Sequence, residues 1–243
     1  MPCQLSAITS LALALGGFPA PLAAQLVSPA AVELQVGAST IKVPTPVGYA
    51  ETSGRSREIW SQVLATHVGE ARVLAHFVTT QELVNYERGG TGFSEYAFVQ
   101  TPRRTESMTV TQAQFDKLKS GTIAMQADLS RHLGPGLAGE VERVAKGLST
   151  IQGSPFQFRI GELVPVSVDK SDSKELIYSV LSQLASVDKA HPEGQTMVMT
   201  TAYCYVKSKV VMLTYFRTFH SPRDLEAARA FVNQWSSSLS TAN

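Results

Sequence analysis

The chain has 243 residues, 44% hydrophobic and 17% charged, with 21 basic side chains against 20 acidic ones and a formal charge of +1. That composition excludes a disordered polymer. The near-neutral balance argues against a bulk electrostatic partner such as nucleic acid or an anionic membrane surface.

The N-terminus reads as an address. Leu5 to Leu15 is almost wholly apolar or small, the breaker pair Gly16-Gly17 follows, and Pro19, Pro21 and Leu22-Ala23-Ala24-Gln25 supply a small-residue exit. This order predicts a secretory signal peptide over residues 1–24, although no Lys or Arg precedes the apolar core. The run is shorter than the roughly 20 residues a spanning helix needs, and no later stretch approaches that length. No membrane span is therefore expected, and residues 25–243 are expected as one globular domain, periplasmic or secreted. Of the two cysteines, Cys3 and Cys204, the first leaves with the signal. The exported chain then has no internal disulfide, even in an oxidising compartment.

Val32 to Val36 alternates apolar and polar residues around Leu34 and predicts a half-buried strand. It pairs with Thr40 to Val43 across Gly37-Ala38-Ser39. Pro44, Pro46 and Gly48 end that unit. A helix is predicted from about Ser56 to Thr66, with Ile59, Trp60, Val63 and Leu64 on one side. Ala71 to Val78 predicts a buried strand, Gln81 to Tyr86 a helical turn broken by Gly89-Gly90, and Tyr96 to Gln100 a strand ending before Pro102.

Thr111 and Gln114 form a capping box, and Phe115, Leu118, Met125, Leu129 and Leu133 follow on one arc. Gly134-Pro135-Gly136 stops that helix; Leu137, Val141, Val144 and Leu148 give a second stripe. Residues 111–148 therefore predict a helical hairpin inserted into the domain. Phe156 to Ile160 and Leu163 to Val168 are β-rich. Glu175 to Ala185 fits helix or strand, and strand is favoured because a polar loop then joins it to the next strand. Met197 to Val206 and Val210 to Phe219, separated by Lys207-Ser208-Lys209, predict an antiparallel hairpin. The second of these is apolar on both faces, with Val211, Leu213, Tyr215 and Phe219 on one and Val210, Met212 and Phe216 on the other. Such a strand belongs in the middle of a sheet with cover on both sides. Ser221, Pro222 and Asp224 then start a C-terminal helix, whose Leu225, Ala228, Phe231, Val232, Trp235 and Leu239 form a core-facing stripe.

The predicted fold class is α/β: a mainly antiparallel sheet covered by helices, an α/β/α sandwich. The strand Ile41-Lys42-Val43-Pro44 leading into Val47-Gly48-Tyr49, together with the closing hairpin-to-helix unit from Met197 to Leu239, resembles the PsbP-like fold. That fold is shared by lumenal extrinsic proteins of photosystem II, a Ran-binding group and several bacterial envelope proteins. The resemblance spans about half the chain, carries no sequence motif, and implies a binding or assembly role in place of catalysis.

Chemistry-bearing residues are sparse. The histidines are His67, His76, His132, His191 and His220. None has the spacing of a helical zinc site, and no Cys-x-x-Cys, His-Glu-x-x-His or Gly-x-Ser-x-Gly occurs. His67 and His76 flank a turn and could converge with His220, though structural or surface roles are the plainer reading. Cys204 sits mid-strand among Val198, Thr200, Ala202 and Val206, and is expected as a buried, inert thiol. Gly89-Gly90-Thr91-Gly92-Phe93 lacks the endings of phosphate loops and is expected as a flexible connection able to border a ligand cleft. Tyr203, Tyr205 and Tyr215 are expected in sheet packing. No catalytic, cofactor or metal residue is assigned. The functional expectation is an exported, non-catalytic binding or assembly factor, with an envelope protein as candidate partner. The alternative is an envelope hydrolase built from Cys204 or a serine with His67, His76 or His220.

Overall fold

The computed structural model describes residues 30–67, 69–90, 92–126, 158–186 and 195–243. The predicted signal segment 1–24, the predicted helical stripe from Leu129 to Leu148, and His132 and His191 lie outside them. The strands are β1 (Ala31–Val36), β2 (Ser39–Pro44), β3 (Tyr49–Glu51), β4 (Ala71–Thr79), β5 (Glu95–Pro102), β6 (Phe158–Ser171), β7 (Glu175–Ser186), β8 (Gln195–Val206) and β9 (Lys209–Thr218). The helices are α1 (Arg57–Thr66), α2 (Thr80–Glu87), α3 (112–126) and α4 (Pro222–Ala242). The fold is thus α/β. β1 and β2 form a separate hairpin, and the other seven strands form one sheet in the order β3-β4-β5-β9-β8-β7-β6. All of its neighbouring pairs are antiparallel. No described helix is long and apolar enough to cross a membrane.

β9 lies fourth of seven, at the centre. Its odd residues Val211, Leu213 and Tyr215 join a core with Ala228, Val232, Trp235 and Leu239 of α4 and Val36, Ile41 and Val43 of the β1-β2 hairpin. Its even residues face the other way, Phe216 packing against the cluster of Ile59, Val63, Leu83 and Phe98 and Val210 against Val110 and Phe115. The two-sided apolar pattern of this strand is therefore matched by cover on both sides. Glu175–Ser186 is a strand, paired along its length with β8. The two β-rich runs before it are a single strand, β6, bent by register shifts. β6 is an edge strand, the place where a sheet tolerates Pro165.

The turn between β8 and β9 is shorter than its sequence suggests. Lys209 pairs with Val206, leaving two residues, Lys207 and Ser208, with φ of 47° and 58°. Positive φ at both positions is the hairpin turn whose twist matches the flanking strands. Tertiary contacts hold these non-glycine residues there: the Ser208 carbonyl accepts from Val110 N–H at 2.9 Å, and Lys207 Nζ donates to Thr40 O at 3.1 Å.

α3 begins as predicted, with Thr111 N–H donating to Gln114 Oε1 at 2.8 Å and Gln114 N–H to Thr111 Oγ1 at 3.3 Å. Its buried stripe differs from the predicted one. Met125 is 63% exposed, whereas Lys119 and Gln126 are buried, with the Lys119 ammonium over the Phe115 ring. The stripe runs 115, 119, 122, 126, the i+4/i+3 succession of a helix, and Lys119 enters it with its aliphatic stem while its ammonium donates to Asp172 O. Leu64 of α1 is likewise on the exposed side.

α4 is anchored at three points. At its start the Asp224 carboxylate accepts the N–H groups of Ser221 and His220 at 2.8 and 3.0 Å and also takes Arg217 Nε at 3.1 Å. Midway, Arg229 forms an ion pair with Asp169 at 2.8 Å, and Ser179 hydrogen-bonds both Asp169 at 2.7 Å and Thr200 at 2.9 Å, so the polar groups under the helix are paired with one another. Near its end, Trp235 Nε1 donates to Pro44 O at 2.8 Å, and the Asn243 amide clasps both backbone groups of Lys42. Trp235 is 3% exposed and packs edge-on against Phe77. Trp235→Ala is therefore expected to lower unfolding free energy by roughly 3–5 kcal/mol in urea titration. A loss under about 1 kcal/mol would show that the ring is not core.

Candidate functional site

On the face opposite α4, the sheet and α1 border an open cleft of about 180 Å³ lined by Ile59, Gln62, Val63, Thr66, His67, His76, Phe93, Tyr96 and Phe98. The α1 contribution is one helical stripe: 59, 62, 63, 66 and 67 recur at the i, i+3, i+4 spacing that puts side chains on a common face. Ser56 starts the helix by accepting Ile59 N–H at 3.3 Å. His67 ends it, its Nδ1–H donating to Val63 O at 3.0 Å.

The floor comes from β4 and β5. A bulge between Val73 and Ala75 turns both Leu74 and Ala75 toward the α4 core and leaves His76 and Val78 on the cleft side. His76 then lies directly across from Phe98, with ring centroids 4.7 Å apart and planes 28° apart. His67 approaches the same Phe98 ring at 4.3 Å, so both imidazoles contact one phenyl. Tyr96 stacks on Phe216 of β9 at 4.8 Å, extending the aromatic floor to the sheet centre.

The third wall is the glycine-rich loop. Positive φ at Gly89 (91°) and Gly92 (75°) lets the chain double back on α2. Glu82, in the first turn of α2, fastens the return: its Oε1 accepts both Ser94 N–H at 2.7 Å and Ser94 Oγ–H at 2.6 Å. Phe93 is thereby stacked on Tyr86 at 5.4 Å and delivered to the cleft rim. The loop borders the cleft, and beyond Phe93 it borders a larger depression of about 480 Å³ with Asn85 and Tyr86.

Thr52 completes the site from below. It is fully buried; its N–H donates to His76 O at 2.9 Å, and its hydroxyl meets His76 Nδ1 at 3.0 Å. Burial, reinforced by the neighbouring His67, lowers the His76 pKa to about 3, so the ring is neutral at physiological pH. Burial also pushes the Tyr96 phenol up to about 12. The cleft is apolar, aromatic and uncharged at His76, suited to binding a flat neutral group.

The other sequence candidates are dispersed. His220 stands exposed at the start of α4 and is not part of the cleft. Cys204 is 4% exposed within the α4-side core, on the opposite face of the sheet from His76. Burial, with Glu175 and Asp172 nearby, drives its thiol well above the usual range, the reverse of what a nucleophile needs. It underlies a groove in which Lys170 pairs with Glu175 and, at 3.4 Å, with Asp172. The tyrosines do not form one cluster. Tyr205 stacks on Phe115 and Tyr203 on Tyr178, whereas Tyr215 stacks on Phe231 of α4 across the sheet. Among the described residues no group of His, Cys, Asp and Glu is arranged to hold a metal ion. No family model, curated protein or solved structure matches the chain.

His76 also makes a pH signature. Its folded pKa lies below the unfolded value of 6.5, so between those values the unfolded chain binds more protons and stability falls as pH drops. The expected slope approaches about 1.4 kcal/mol per pH unit between pH 6 and the onset of acid unfolding. His76→Gln, which cannot titrate, should flatten it in urea titrations run across that range; an unchanged slope would show that His76 is not the group responsible.

Proposed function

We propose that the chain is an exported, non-catalytic binding or assembly factor, and that its recognition surface is the aromatic cleft containing His67 and His76. The observation that carries this reading is the separation of the reactive groups. Cys204 faces α4 and His76 faces α1, so the sheet itself stands between the thiol and the base that would activate it, beyond the roughly 3 Å reach that nucleophilic catalysis requires. The hydroxyls of Thr52 and Thr66 meet the imidazoles of His76 and His67. The first is wholly buried, and the second donates to carbonyls of its own helix.

A binding role also agrees with the PsbP-like pattern of the closing β8-β9-α4 unit and of the β2-to-Tyr49 step, since that group consists largely of binding and assembly factors. Export rests on the segment 1–24, with an envelope protein as the natural partner class.

Two measurements test the reading. The protein recovered from periplasm or medium should lack about its first two dozen residues by intact mass; full-length protein confined to the cytosol would contradict export. A panel of ester, peptide and glycoside substrates should show no turnover, while pulldown from an envelope extract retains a partner that is lost when the cleft is blocked by Val63→Trp. Turnover abolished by His67→Ala, His76→Gln or Cys204→Ala would establish the hydrolase in its place.

A further inference from the structure

The cleft contains a directional polar group whose proton can be located by accounting for its neighbours. Thr52 is 0% exposed and His76 3%, and the 3.0 Å contact between Thr52 Oγ1 and His76 Nδ1 is the only hydrogen bond the Thr52 hydroxyl makes among the described residues. A buried hydroxyl proton without an acceptor is costly, whereas a hydroxyl that donates while its lone pairs go unused loses far less. Thr52 Oγ–H therefore donates, Nδ1 accepts, and the neutral imidazole carries its proton on Nε2. That nitrogen has no hydrogen-bond partner among the described residues, nor is it among the fully enclosed, unpartnered side-chain atoms. His76 lines the cleft, and its Nε2–H is the donor left over to face it.

Around this donor the walls are flat rings. Phe98 stacks under His76, Phe93 and Tyr96 approach its edges at 6.4 and 6.0 Å, and Ile59 and Val63 close the helix side. A volume of about 180 Å³ accommodates one or two fused rings and is well below a drug-sized site. From these observations we infer that the cleft binds a small neutral aromatic group bearing a hydrogen-bond acceptor, such as a ring nitrogen or aryl carbonyl, which receives the Nε2–H of His76. The inference rests on the binding reading above and specifies the ligand class of that same site. No Lys or Arg lines the cleft to draw an anion, and an aliphatic chain would leave the Nε2–H unpaired.

Isothermal titration of the mature chain at pH 7.5 with quinoline and with indole tests the claim, because the two are similar in size but present an acceptor and a donor respectively. Quinoline is expected to bind about tenfold more tightly, the difference made by one satisfied against one unsatisfied buried donor. His76→Phe should bring the two affinities within about twofold. Thr52→Val, which removes the hydroxyl that fixes the tautomer at nearly constant volume, should narrow the ratio without abolishing quinoline binding. Imidazole ¹⁵N spectra of the native chain should place the His76 proton on Nε2. Equal affinities, tighter indole binding, no binding of either probe, or a proton on Nδ1 would overturn the inference. Such a failure with no substrate turnover rejects this ligand class alone, whereas turnover rejects the binding reading itself.

Discussion

Everything else in the fold depends on β9 being apolar on both faces. A strand of that kind cannot lie at a sheet edge or face water on one side, because either position would leave several large side chains exposed at about 1.5–3 kcal/mol each. It therefore takes the centre, with β5 on one flank and β8 on the other, and helices must cover both sides. α4 follows immediately in the chain and takes one face; α1, α2 and α3 take parts of the other.

The two faces are finished differently, and that difference makes one of them the candidate site. Under α4 the packing is closed by Trp235 and the β1-β2 hairpin, and its polar groups, Arg229, Asp169, Ser179 and Thr200, pair with one another. Under α1 the helix is only ten residues long, too short to span the floor of rings supplied by β4, β5 and β9. The gap it leaves is the cleft. Its two imidazoles are held by local features, His67 as the cap of α1 and His76 by the bulge of β4 and the hydroxyl of Thr52.

Much of the fold was legible from sequence because its signals are local. The period-2 pattern of β9, the Ser-Pro-x-Asp start of α4 and the Thr111/Gln114 box each declare themselves within a few residues, and each forms as read. The stripe of α3 was misread because hydropathy cannot show that Lys119 will bury its stem and satisfy its ammonium on a carbonyl 53 residues away. The site was legible only in fragments. His67, His76 and the glycine loop stand out as residue types, but Thr52 is one threonine among many, and its importance arises from a contact across 24 residues. Phe93 gains its place through Glu82 and Ser94, a clasp no periodicity records. Nor does any local signal place Cys204 and His76 on opposite faces; that follows from strand order and parity together.

The central claim is that two-sided burial of β9 organises the molecule, and native-state hydrogen exchange measures it most directly. The account predicts that amides of β9 and the flanking β5 and β8 exchange only through global unfolding, with protection equal to the full unfolding free energy, while the edge strands β3 and β6 exchange by local opening at lower cost. β9 amides exchanging as readily as those of β3 or β6 would contradict it.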